Sequence, residues 1–430
     1  MEMPPGALLS EPRPNALVRR DDVTVQVHEH RFLERVANLG CRASELLGLP
    51  FTKLDPQGVV REAKRKTGLS DTGDDRFLEP MTKVLEQVAD HERYTPLARG
   101  FIHGICVRAV VHRLKIEQFL KEHRETLDIP IERPIFVLGF PRTGTTVLQN
   151  LLEQPPQRRA LQFWETTAPI PHHDDLVADR AARIKRANGD LGLAYRIVPE
   201  MREVHEVKAD TAEECWPLLS NTFAVVNFDI CHGLKSYGHW LMDFDMEWAY
   251  REYRRMLQML LWRIPAEQLV LKCPEHLWEL KPLLKVFPDA CIVWTHRAPF
   301  DCVASYSSMI SLSRRTLQGR IVPERIGPHI AERFHVGVTR AMAARDALGD
   351  ESRFFDVDFR ELVGDRVGMV GRIEQHFGLP PTDPSLLQGW LDTKRADSRG
   401  SHRYDAAMWG VHEDSINERF AGYMKRFDLD

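Results

Sequence analysis

The stretch IFVLGFPRTGTTVLQNLLEQ, residues 135–154, decides the fold. Ile135–Gly139 is an unbroken apolar run, as expected of a strand buried on both faces of a parallel sheet. It passes through a turn rich in Gly and Pro into TTVLQNLLEQ, where Leu148, Leu151 and Leu152 recur at helical spacing. Strand, tight turn and helix N-terminus together aim backbone N–H groups and the positive end of a helix dipole at an anion. Gly139 and Gly144 carry the G-x-x-x-x-G spacing of a nucleotide phosphate loop, but Thr145 stands where such a loop needs its Lys. A cation sits inside the loop instead, at Arg142. That exchange points to an anionic leaving group other than a nucleoside triphosphate.

Working outward, apolar runs recur at 269–272, 291–295 and 353–359, with helical patterns at 278–287, 299–313 and 332–348. The alternation predicts an α/β fold, a P-loop-like sheet of parallel strands flanked by helices, over residues 130–430. A helical insert rich in aromatics occupies about 191–264, and its stripe of Met246, Ala249, Tyr253, Met256, Leu257, Leu260 and Leu261 reads as core. Residues 25–129 read as an all-helical N-terminal region without a strand, behind a poorly ordered leader at 1–24. The stripes Phe32, Val36, Leu39, Leu46 and Phe77, Met81, Val84, Leu85, Val88 are expected to face a core, as is the segment from Ile102 to Leu120.

Composition bounds the function. The chain has 430 residues, 43% hydrophobic and 28% charged, which suits a globular protein of about two to three domains. Its net charge of −4 argues against binding nucleic-acid polymers, which rewards a positive excess. The first residues lack the basic start and apolar core of a secretory signal, and no window is apolar enough to span a membrane. The seven cysteines are scattered and never spaced C-x-x-C, so they read as buried free thiols in a reducing cytoplasm, and no metal is expected. The sequence does not indicate an oligomeric state.

The loop PRTGTT (Pro141, Arg142, Thr143, Gly144, Thr145, Thr146) resembles the 5′-phosphosulfate loop of sulfotransferases that use 3′-phosphoadenosine 5′-phosphosulfate (PAPS), in the Arg-containing form of tyrosylprotein sulfotransferases and many bacterial relatives. That family also carries an Arg at the end of a later strand and a Ser in the helix after it, for the 3′-phosphate. IVWTHRAPFDCVASYSS supplies Arg297 and Ser305. Trp164-Glu165, LVLKCPEHL, VGMVGRIEQHFGLP and HRYDAAMWGVHEDSINERFAGY extend the resemblance from about residue 75 to the end. Where cytosolic relatives have a Tyr before an adenine-contacting segment, this chain has Phe359-Arg360-Glu361-Leu362, so the adenine contacts do not transfer.

The resemblance implies transfer of a sulfuryl group from PAPS to a hydroxyl of a small-molecule acceptor, and the apolar bias of the insert suits a hydrophobic one. Arg142 would meet the charge on the leaving phosphate, and N–H groups of Gly144, Thr145 and Thr146 would cradle it. Glu165 is the first candidate for the base that deprotonates the acceptor, His276 the second, with Lys272 as a sulfuryl contact. A P-loop kinase or NTPase is the enzyme alternative, weakened by the missing Gly-Lys and by the lack of an acidic strand end for Mg²⁺. A catalytically inactive nucleotide-binding scaffold is the third. His172, His173, Asp174 and Asp175 read as a solvated loop rather than a metal site. His205, Glu213, Glu214, Trp216, Phe223, Phe228, Trp240 and Trp248 could wall the acceptor pocket, and His402 and Arg403 could approach the 3′-phosphate.

Overall fold

Five parallel strands carry the molecule: β3 (Ile135–Gly139), β4 (Arg158–Ala160), β5 (Gln268–Lys272), β6 (Cys291–His296) and β7 (Phe354–Asp358), in the order β4-β5-β3-β6-β7. The computed structural model describes residues 17–20, 23–26, 31–49, 53–90, 92–204, 206–396 and 405–429. His205, His402 and Arg403 lie outside the described residues. Every residue of β3 and β6 is buried, as a central strand covered on both faces requires. Ile135 pairs with Val270 on one side and Cys291 on the other, and Gly139 pairs with Thr295. The chain leaves β3 toward β4 and leaves β6 toward β7. The order therefore reverses between β3 and β6, and in open α/β sheets ligands bind at the carboxyl ends beside such a point.

Helices cover both faces. Ahead of the sheet lie α1 (Phe32–Leu46), α2 (Pro56–Thr67), α3 (Leu78–Val88) and α4 (Pro96–Glu122). Then come α5 (Thr145–Leu152), α6 (Phe163–Thr167), α7 (Leu176–Ile197) and α8 (Glu200–Val204). The insert continues with α9 (Trp216–Leu219), α10 (Asn227–Ile230), α11 (Lys235–Leu241) and α12 (Met246–Arg263). The last helices are α13 (Leu280–Val286), α14 (Pro299–Gln318), α15 (Ile326–Leu348), α16 (Phe359–Gly364), α17 (Arg366–Phe377), α18 (Pro384–Ala396) and α19 (Glu413–Phe427). The expected stripe of α12 is buried throughout, and so are Phe77, just before α3, and Met81, Val84, Leu85 and Val88 within it. Tyr423 of α19 seats the C-terminus on the sheet, its hydroxyl 2.9 Å from His296 Nδ1 while His296 Nε2 meets Asp356 at 2.8 Å.

Ahead of the helices, Leu17–Arg20 (β1) and Val23–Gln26 (β2) pair as an antiparallel hairpin, for which the β-branched run Val23-Thr24-Val25 is suited. The stripe of α1 departs from the sequence reading: it does not face a core, because Phe32, Val36, Leu39 and Leu46 are exposed.

α1 is held by its polar face. Glu34, fully buried, accepts from Thr316 Oγ1 at 2.6 Å and meets Arg315 Nη2 at 3.2 Å. Arg315 is fully buried too, and its Nη1 reaches Glu200 Oε1 of α8 at 3.0 Å. Arg31 also reaches Glu200, at 3.3 Å, so removing Arg315 leaves Glu34 as the uncompensated buried carboxylate, a loss of about 3–5 kcal/mol. Arg315→Met is therefore expected to release α1, seen as lost amide-exchange protection over 32–46. Unchanged protection there would show that other contacts hold α1.

Candidate active site

The turn after β3 is built by close approach. Gly139 has φ +146, and a Cβ there would lie 2.2 Å from Thr295 Oγ1 and 2.5 Å from the Thr295 carbonyl, so only glycine lets β3 and β6 meet. Thr143 is fully buried, its hydroxyl 2.6 Å from the Phe140 carbonyl and 2.6 Å from Thr295 Oγ1. That hydroxyl is a strut of the loop, and Pro141 has no N–H to donate. Arg142 (φ +75) and Gly144 (φ +87) both take left-handed backbone. For Arg142 such a conformation costs about 1–3 kcal/mol, the kind of strain that clusters at ligand clamps. Its side chain is exposed. Gly144 caps α5 with no side-chain bond, and Thr145 and Thr146 open the helix. The N–H groups of this first turn have no acceptor within the helix, the setting in which helix N-termini bind anions.

Arg297, just past β6, closes the other side. Its Nη1 donates to the Arg142 carbonyl at 3.0 Å, while Nε and Nη2 contact Asp301 Oδ2 at 3.2 and 2.8 Å. Its guanidinium also lies 4.4 Å from the Phe359 ring centroid. Phe359 and Leu362 of α16 press on the loop, since a Cβ on Gly144 would meet Leu362 at 2.7 Å and Phe359 at 3.5 Å. The segment whose adenine contacts could not be transferred thus packs directly against both anion motifs. Ser305 is buried one turn beyond Cys302, and Cys302 feels the charges of Arg297 and Arg142.

The two expected bases are both enclosed by protein. Glu165 is buried, one oxygen paired with Arg159 and the other accepting from its own helix cap, the Gln162 N–H, at 3.0 Å. It lies at the end of β4, two strands along the sheet from β3. His276 is fully buried in the short 3-10 turn Pro274–Leu277, with Nδ1 2.8 Å from Tyr250 Oη and the ring edge-on to Phe136. Burial pushes its pKa down to about 3. The sequence placed this histidine at a strand end without showing that it turns into the core, where its Nε2 has no hydrogen-bond partner.

Lys272, in contrast, ends β5 beside the loop strand, opposite Val137. It is buried, and its Nζ meets Glu214 Oε1 at 2.9 Å. Burial works against its charge, but Glu214 and Glu213 outweigh that and hold the pKa above the usual lysine value. The segment bearing these acids lies across the sheet edge. The Glu213 N–H donates to Leu161, the Cys215 N–H to Lys272, and the Glu213 carbonyl accepts from Gln149 of α5. Glu214 keeps part of its side chain exposed, whereas Glu275 beside it is buried with Oε2 unpartnered. Burial first, then Glu214 and Glu279, push Glu275 up to about 8. Sequence reading treated Glu214 as a wall and passed over Glu275. The adjacent pair Glu213-Glu214 was the available signal, but only the strand register brings it to Lys272. Among the described residues no His, Cys, Asp and Glu group has the arrangement of a metal site.

These shifts fix a pH response. Burial depresses His112 and His276 to about 3 and His232 and His329 to about 4. The unfolded chain then binds more protons below about pH 6.5, and stability falls as pH drops. Burial raises Glu275 and Glu279 to about 8, so the folded chain holds the extra protons, and their stabilisation is lost as pH rises through 8. The melting temperature is expected to peak near pH 6.5 and decline toward 8, less steeply in Glu275→Gln and Glu279→Gln. An alkaline limb equally steep in both variants would mean these acids are ionised in the fold.

Known proteins match this arrangement. A family model described as the sulfotransferase family matches residues 134–384. The solved structure of sulfotransferase STF1 from Mycobacterium tuberculosis H37Rv is similar at 30% identity and TM-score 0.76, over 85% of this chain and 98% of that one. Sulfotransferase STF9 from Mycobacterium avium is similar at 28% identity and TM-score 0.75, over 87% and 97%. Omega-hydroxy-beta-dihydromenaquinone-9 sulfotransferase Stf3 of Mycobacterium bovis is 26% identical over 255 residues, which are 57% of this chain. The match spans 63% of the length of that curated relative.

Proposed function

The chain belongs to the sulfotransferase family, and from that membership we propose that it transfers a sulfuryl group from PAPS to the hydroxyl of a small apolar acceptor. The observation that carries this reading is the bond from Arg297 to the Arg142 carbonyl. It joins two anion motifs far apart in sequence into one cleft, suited to a donor with phosphates at both ends of its ribose. The apolar acceptor is supported by the insert's buried aromatics and by the menaquinone derivative named for Stf3.

In the reaction the sulfur–oxygen bond to the 5′-phosphate breaks as a bond from the acceptor oxygen to sulfur forms. The acceptor proton leaves to a base, and the bridging oxygen keeps the electron pair. Arg142 and the α5 N–H groups stabilise charge growing on that oxygen, Arg297 and Ser305 hold the 3′-phosphate, and Lys272 neutralises the moving sulfuryl oxygens. For the base, Glu214 is better supported than Glu165. It is ion-paired to Lys272 and partly exposed, whereas both oxygens of Glu165 are engaged.

Adenosine 3′,5′-bisphosphate should raise the melting temperature while ADP with Mg²⁺ does not, because a ligand at a hundred times its Kd stabilises by about 2.7 kcal/mol. The reverse pattern would favour a kinase or NTPase, and binding without transfer of labelled sulfate to any alcohol would favour an inactive scaffold. Arg142→Ala and Arg297→Ala should each abolish the bisphosphate shift. Glu214→Gln should lower kcat by about 10²–10⁴-fold. If Glu165→Gln does so in a folded protein while Glu214→Gln stays near wild type, Glu165 is the base.

A further inference from the structure

Helix α1 is turned inside out. Phe32, Leu39, Leu46 and Leu47 are 76%, 64%, 82% and 75% exposed, and Leu33 and Val36 join them on the same face. The opposite, polar face docks on the body. Besides Glu34, Asn38 Oδ1 accepts from the Leu97 N–H at 3.0 Å, and Glu45 receives Arg99 Nε and Nη2 at 2.5 and 2.8 Å. A helix of a water-bathed protein normally does the reverse. Both acids of α1 are thus consumed inward, while the exposed charges bordering its apolar stripe, Arg35 and Arg42, are cationic.

A second feature adjoins it. α1 packs against α4 and α7, and between these two and α2 opens a cavity of about 350 Å³. It begins at Gly100, next to the Arg99 that Glu45 clamps, and is rimmed by Lys66, Arg108, Lys115 and Arg186. Glu62 offsets Lys66 at 2.7 Å and Asp190 lies 3.8 Å from Arg108. Lys115 and Arg186 have no carboxylate partner among the described residues. Val107, Val111, Ala168 and Ile170 give the cavity apolar walls, and buried His112 lies at its floor, its Nδ1–H donating to Asn221 Oδ1 at 2.9 Å. Arg108, Lys115 and Arg186 line this one space together with His112.

We propose that this face of the N-terminal region docks on the surface of a bilayer containing anionic phospholipid. α1 would lie in the interface with its apolar stripe in the acyl boundary, and a headgroup phosphate would sit between Lys115 and Arg186. Charge complementarity selects this occupant. An outward apolar stripe bordered by cations, beside a cationic cavity with apolar walls, is the pairing an amphipathic anion requires. A second copy of the chain would instead bring the same cations face to face.

Flotation of the full chain with vesicles tests this without reference to turnover. Binding is expected to phosphatidylcholine vesicles containing phosphatidylglycerol, to weaken with salt, and to be far smaller with phosphatidylcholine alone. Leu39→Ser with Leu46→Ser should lower partitioning at least about tenfold, and Lys115→Glu or Arg186→Glu about fivefold or more. All four residues lie outside the core, so melting temperatures should stay near wild type. No binding to either vesicle, or binding indifferent to both sets of variants, overturns the proposal. So does a concentration-dependent dimer that the leucine pair abolishes, which would make a second copy the occupant.

Discussion

Everything at the site depends on how closely β3 and β6 approach at Gly139 and Thr295. Thr295 Oγ1 lies where a side chain at 139 would be, and it bonds Thr143 inside the loop. The loop is thus fastened to the neighbouring strand rather than to its own helix alone. The same strand ends one residue before Arg297, so the contact that shapes the first anion site also positions the second. A methyl group at 139 would have to separate the strands, and the bond from Arg297 to the Arg142 carbonyl would open with them. Interiors are packed too tightly to absorb such a displacement locally.

Electrostatics follows the same edge. The net charge of −4 conceals a row of cations at the carboxyl ends of β3, β5 and β6: Arg142, Lys272 and Arg297. Arg297 holds Asp301, and Lys272 holds Glu214. A buried cation without a partner would be costly, so these acids stabilise the fold before any anion arrives. Each acid is also partly exposed.

How much of this was legible in the sequence depended on the kind of information each feature carried. The strands β3, β5, β6 and β7 could be read because a strand buried on both faces must be apolar along its length. β4 could not, since Arg158-Arg159-Ala160 is a three-residue edge strand whose Arg158 is neutralised by Glu374 from far downstream. The turn between β3 and α5 was readable because its glycines have a fixed local spacing. The surroundings of Glu165, His276 and Glu214 were not, since what a carboxylate or imidazole packs against depends on register between distant segments.

Helix α1 shows the remaining limit most clearly. Its periodicity was genuine and the helix formed where it pointed, yet the apolar side lies outward. Periodicity reports that a helix has two faces, and says nothing of which face the body takes. That choice was made by polar groups beyond the helix. The buried Arg315 and Arg99 needed carboxylates, and Glu34 and Glu45 lie a hundred degrees or more from the leucines. Docking the polar face satisfies two buried guanidinium groups, each of which would cost about 3–5 kcal/mol if left uncompensated. The exposed stripe is what that docking leaves behind.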